Sequence, residues 1–204
     1  MHGAGSPADL WPAEAACLVS AVPKRIMEFA AGRACARRAL QELGIDDFVL
    51  LPAEDRQPLW PRSIVGSITH TAGYCAAVVA RRESFAGIGI DSEEVSSVAR
   101  DLWPTICTPE ETGWCASLPG SQQPAAAALL FSAKEAFYKG QYPGTREWLN
   151  FHDLCIEPAA WGAPQGQFTV RATRRIAAQA LGHWPLTGQF RFHDAWVTAA
   201  VAFQ

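Results

Sequence analysis

Two stretches of this sequence carry the period of an α-helix, and each is followed by short runs of strand-forming residues. That alternation restricts the chain to a mixed fold. In "VPKRIMEFAAGRACARRALQELGI" (22–45), Ile26, Phe29, Ala30, Ala36, Leu40 and Leu43 recur at helical spacing, and Gly44 supplies the stop. Prolines punctuate 53–63, "AEDRQPLWPRS", which reads as loop. "VGSITH" and "YCAAVVAR" follow as two strands joined at Thr71-Ala72-Gly73, and "FAGIGIDSE" reads as a third. Residues 99–124 hold several helix breakers, and then "AAAALLFSAKEAFYKGQ" (125–141) forms a second helix closed by Pro143. Strands return in "GQFTVRAT", "QFRFHDAWV" and "VTAAVAF", with a short helix in "RRIAAQALG".

Helix and strands thus occur twice, and "YCAAVVA" matches "WVTAAVAF" in composition and in position within its half. The expected fold class is α+β, with two pseudo-symmetric lobes, each a helix packed on a small antiparallel sheet. The lobes are expected at 1–100 and 101–204, joined near 95–105.

With 49% apolar residues and eight tryptophans, a core is easily filled. Charged residues make up only 18% and the net charge is −3, which argues against a nucleic-acid binder with a basic surplus. The six cysteines include no C-x-x-C pair, so zinc spacing is missing and small buried thiols are expected. "MHGAGSPADLWP" lacks the basic and apolar regions of a leader, and no run reaches the length of a membrane span. These features point to a reducing cytoplasm and no disulfides.

In "GIGIDSEEV" an apolar run ends at Asp91, with Glu93 at i+2, so on an extended chain the two carboxylates stand side by side. Like charges held close need a cation between them, and an oxygen-only donor set suits Mg²⁺. A solvated turn after a strand would leave the same pattern. Glu135 and Lys139 share a helix face at i, i+4. They could be a surface ion pair. Their neighbours Leu129, Leu130, Phe131, Phe137 and Tyr138, however, make the helix apolar nearly all round, and buried charges need partners or a metal. Glu135 is therefore a candidate third ligand, and Lys139 a cation aimed at the bound anion.

Arg33 and Arg37 lie four apart on the first helix, with Lys24 and Arg25 at its start. Guanidinium groups grip phosphate in a fork, although a solvated basic face has the same spacing. "GSITHTAG" adds Ser67, Thr69 and His70 at a strand end where turn N–H groups can cradle phosphate. No dinucleotide fingerprint, Walker loop or G-x-S-x-G elbow is present.

In this order, "KRIMEFAAGRACARRAL", "PLWPRSIVGSITHTAGYCAAVV", "GIGIDSE" and "FSAKEAFYKGQYPGTREWLNFHD" resemble the motifs of the 4′-phosphopantetheinyl transferases, in the surfactin- and enterobactin-type single-chain branch. The resemblance implies a monomer that binds coenzyme A and Mg²⁺ between two lobes. By that resemblance Asp91, Glu93 and Glu135 hold the metal, with Glu135 and Lys139 catalytic. Arg25, Arg33, Arg37, Arg56, Ser67, Thr69, His70, Lys134 and Lys139 would contact coenzyme A. The reaction implied moves the 4′-phosphopantetheine arm to a serine of an acyl or peptidyl carrier protein of polyketide or nonribosomal-peptide synthases, and releases 3′,5′-ADP. A metal-dependent phosphodiesterase and a catalytically silent coenzyme-A-binding module are the alternatives. Ser63, where relatives commonly carry glycine, departs from the pattern of the Trp-Pro loop.

Overall fold

Along 196–203 every second residue (Val197, Ala199, Val201, Phe203) is apolar and buried, the alternation of a strand with one face on a core. In the computed structural model, which describes residues 5–204, this run is the second strand of a five-stranded antiparallel sheet. Residues 1–4, part of the stretch read for a leader, lie outside the described range. The strands are β1 (Ile64–Thr71), β2 (Tyr74–Arg81), β3 (Gly87–Glu94), β4 (Leu154–Pro158), β5 (Gln165–Ala172), β6 (Leu186–His193) and β7 (Trp196–Phe203). β1 and β2 form a hairpin of their own, and the large sheet runs β3-β7-β6-β5-β4.

Helices α1 (Pro12–Ala15), α2 (Pro23–Glu42), α3 (Trp103–Ile106), α4 (Pro109–Ser117) and α5 (Gln123–Thr145) complete the α+β fold. α2 packs on the hairpin, and α5 crosses the large sheet over β3 and β7. Its apolar side chains account for that position. Leu129, Leu130, Ala133 and Phe137 are fully buried, and the Phe137 ring meets Phe203 edge-on at 5.3 Å. Burying one such ring contributes about 1.5–3 kcal/mol.

Both long helices, the hairpin and β3 lie where periodicity sets them. Five details differ. β3 pairs with β7 rather than with the hairpin, so the strand assigned to the first lobe belongs to the sheet of the second half. β1 approaches β3 only through side chains: Ile90 N donates to Ser67 Oγ at 3.1 Å and Ser92 N to Thr69 Oγ1 at 2.8 Å. α5 runs through Pro143 to Thr145 and ends at Arg146 in the left-handed region (φ 57°). Proline there forfeits one helical hydrogen bond, and the helix ends two residues later. "QFRFHDAWV" is two strands, broken at Asp194 (φ 50°). Within the breaker-rich 99–124, Thr108 and Glu111 close a capping box that starts α4. The short helix read in 174–182 is one 3-10 turn, Ala177–Ala180.

Candidate active site

β3 and α5 touch backbone to backbone. A Cβ on Gly87 would lie 2.3 Å from the Gly140 carbonyl oxygen, and one on Gly89 only 1.8 Å from that of Ala136. One residue pair further, the Ser132 hydroxyl donates to the Asp91 carbonyl at 2.9 Å. The strand advances two residues for each helical turn of four, so Asp91 and Glu93 continue the face on which Gly87 and Gly89 admit the helix. The adjoining stripe of α5 carries Glu135 and Lys139.

These residues line one side of a cleft of about 550 Å³. Facing them are Arg25, Glu28 and Arg33 from α2, His70 from β1, and Arg56 and Trp60 from the loop before β1. Tyr138, Tyr142 and Trp148 form an aromatic wall; the two tyrosines stack at 5.2 Å, and Trp148 meets Tyr138 edge-on at 5.4 Å.

The carboxylate end is electrostatically tight. Lys139 Nζ donates to Asp91 Oδ1 at 2.6 Å, and Thr69 Oγ1 donates to the same oxygen at 3.3 Å. Asp91 Oδ2 is buried and has no hydrogen-bond partner. Burial, and then the Asp91 charge, push the Glu93 carboxyl up to about 7. Burial raises Glu135 as well, with Lys139 opposing and Asp91 adding to the shift. An unpartnered buried oxygen beside two carboxylates that ionise reluctantly is a donor set suited to a hard divalent cation such as Mg²⁺, so the residues fit the group their pattern implies. The three do not close into one tight cluster. Among the described residues, the acidic or thiol group with all ligand atoms within 4.8 Å of one another is Glu110, Cys155 and Glu157. None of those lines the cleft, and Arg171 already bridges Glu110 and Glu157 at 2.7 and 2.9 Å.

At the cationic end an Arg25 Nη1 hydrogen points at His70 Nε2, 3.1 Å away. Arg33 is buried over the Phe29 ring and donates to the Leu50 carbonyl at 2.7 Å; burial brings its pKa down to about 10. Arg25, Arg33, Arg56, Ser67, His70 and Lys139 of the expected coenzyme contacts all border the cleft.

Three others do not. Lys134 is 1% exposed and donates to Glu111, Ile106 O and Phe151 O at 2.6–2.9 Å, because consecutive helical positions leave α5 on different sides. Arg37 donates to Glu14, which is fully buried under the N-terminal segment. Thr69 is buried and spends its hydroxyl on β3. Sequence reasoning also missed Glu28, 3.8 Å from both Arg25 and His70, although its i, i+3 spacing from Arg25 was a usable signal. It passed over the aromatic wall because Tyr138 read as core.

Family models agree with this layout. The 4′-phosphopantetheinyl transferase N-terminal domain matches residues 13–80, and the 4′-phosphopantetheinyl transferase superfamily model matches 87–200. The chain belongs to this family. It is 34% identical over 205 residues to the 4′-phosphopantetheinyl transferase Npt of Nocardia iowensis, covering 97% of this chain and 91% of that one. It is 41% identical over 166 residues to Svp of Streptomyces mobaraensis, a 4′-phosphopantetheinyl transferase, covering 79% of this chain but only 65% of the relative. A holo-(acyl-carrier-protein) synthase from Bacillus anthracis, solved with CoA (3′,5′-ADP), aligns over 58% of this chain and 96% of its own at 21% identity and a TM-score of 0.46, too loose to bear on the site. The family junction at 81–86 falls just before β3, in keeping with the pairing of that strand to β7. No helix among the described residues is long and apolar enough to cross a membrane, and all six cysteines are free.

Proposed function

We propose that this protein transfers the 4′-phosphopantetheine arm of coenzyme A to a serine of an acyl or peptidyl carrier protein, depends on Mg²⁺, and releases 3′,5′-ADP. One observation carries the reading: a single cleft holds a cationic end (Arg25, Arg33, His70) and a carboxylate end (Asp91, Glu93, Glu135), with Lys139 at the latter. A nucleotide bearing a 3′-phosphate and a pyrophosphate presents anions at two separated points and meets both ends.

The serine oxygen attacks the phosphorus that carries pantetheine. The bond from that phosphorus to the bridging oxygen breaks, and 3′,5′-ADP leaves with the electron pair. Glu135 is the candidate acceptor of the serine proton, and burial raises its carboxyl above the usual range. Lys139, at the carboxylate end of the cleft, would stabilise or protonate the departing phosphate. Asp91, Glu93 and Glu135 would hold the divalent cation, which when bound supplies neutralising charge to the pyrophosphate. Arg25, Arg33 and His70 fix the nucleotide so that most of the rate comes from positioning and preorganised charge.

The carriers belong to polyketide or nonribosomal-peptide synthases, and the protein works as a cytoplasmic monomer. Incubating apo-carriers of each type with coenzyme A and Mg²⁺, then weighing them by mass spectrometry, tests the reaction. One added arm per carrier is expected. Unmodified carriers together with hydrolysis of a generic phosphodiester would replace it with the phosphodiesterase reading.

A further inference from the structure

Lys134 is conspicuous because a buried ammonium sits one residue from the candidate base and takes no part in the cleft. Its three donors are all committed: to Glu111 Oε2 at 2.6 Å, Ile106 O at 2.8 Å and Phe151 O at 2.9 Å. Glu111, 2% exposed, is equally committed. Oε2 also accepts from Thr108 N at 2.7 Å, and Oε1 accepts from Ile156 N at 2.7 Å. One ion pair therefore ties α5 to the α3–α4 corner, to the turn at Phe151 and to β4.

Consecutive side chains leave a helix about 100° apart. With Lys134 pinned on the sheet-end side, Glu135 is swung into the cleft, and Lys139 follows it one turn later. The glycine contacts with β3 set how closely α5 approaches, and the buried apolar residues of α5 set which side meets the sheet. The Lys134–Glu111 pair adds a directional restraint against rotation about the helix axis. A charged pair with every hydrogen bond made resists such rotation, because turning the helix would strand a buried charge.

We infer that Lys134, with Glu111, is a positioning residue that fixes the rotation of α5 and so the aim of Glu135 and Lys139 at the cleft. The inference rests on the transferase reading for the reaction, but not for the metal affinity that tests it. Lys134→Met and the double variant Lys134→Met, Glu111→Gln are compared with the wild-type chain well below their melting temperatures. Readouts are Mn²⁺ affinity by electron paramagnetic resonance, KM for coenzyme A, and kcat per folded molecule. Outer groups that orient ligands typically change metal affinity or activity about 10–100-fold when removed. A loss of that size in both Mn²⁺ affinity and kcat is expected in folded variants. Wild-type Mn²⁺ affinity in a folded variant overturns the inference, and so does failure of both variants to fold, which would assign the pair to stability alone. A wild-type chain that binds Mn²⁺ but transfers nothing would instead sink the transferase reading and leave the affinity comparison intact.

Discussion

Arg37 Nη1 donates to both carboxylate oxygens of Glu14, at 2.9 and 3.1 Å, and its Nη2 donates to the carbonyl of Asp9. Glu14 also accepts from Leu50 N and Trp11 N, so the pair clasps the N-terminal segment onto α2. Removing one partner of a buried pair typically costs about 3–5 kcal/mol, and the two remaining donors to Glu14 put this case at the low end. Arg37→Ala should therefore lower the urea midpoint while leaving KM for coenzyme A unchanged. Arg33→Ala, which empties a cleft-lining position, should raise that KM. Equal KM effects from the two would return Arg37 to the binding site.

At Gly89 a methyl group has no place to go, because the obstructing atom is the Ala136 backbone carbonyl rather than a flexible side chain. Gly89→Ala must push α5 off β3. Overpacking of this kind costs about 1–3 kcal/mol or more. Carboxylate spacing across the β3–α5 contact changes with it, so transfer should fall further than stability explains. Denaturant melts and kcat on the folded fraction would show this, and a wild-type kcat would mean the spacing is slack.

Periodicity made the two long helices legible, and the i, i+2 and i, i+4 rules put Asp91 beside Glu93 and Glu135 beside Lys139. What those rules omit is the partner. Arg33 and Arg37 share a helix face by spacing, yet Glu14, more than twenty residues upstream, captures only the second. Lys134 reads like any helical lysine until Glu111 is folded against it. Likewise β3 is a clear strand, but its partner β7 lies over a hundred residues away, and no local signal sets such pairing. Thr108 and Glu111 did announce α4 by their capping spacing, which the surrounding prolines masked.

A pH signature should come from Asp153, which accepts from Arg174 Nε at 2.8 Å and Nη2 at 2.9 Å. Those hydrogen bonds hold its carboxyl below the usual range. A depressed folded pKa stabilises the fold above the unfolded value, about 3.9, and that contribution is lost as pH falls through the folded value. The Tm gap between wild type and Arg174→Gln should thus be widest near neutrality and narrow as pH falls below the unfolded carboxylate value. A gap that stays constant down to acid would assign the effect to contacts that do not titrate, such as the hydrogen bond from Arg174 Nη1 to the Arg175 carbonyl.

The Trp60 indole lies where a side chain at Gly66 would project, with ring carbons 2.7–3.0 Å from the Cβ position. Both residues line the cleft, so the bare Gly66 backbone lets the proline-rich loop close against β1. Here the obstructing group is a side chain, and it can swing. Gly66→Val should therefore leave the fold and the carboxylate end in place while turning the indole away from its seat. KM for coenzyme A is expected to rise about ten-fold, equivalent to ~1.4 kcal/mol of lost binding. kcat should stay within about two-fold, because Asp91, Glu93 and Glu135 are untouched. Steady-state kinetics at saturating carrier separates the two constants. Were kcat to collapse with KM unchanged, the loop would have to act on the reacting phosphate rather than on coenzyme A binding.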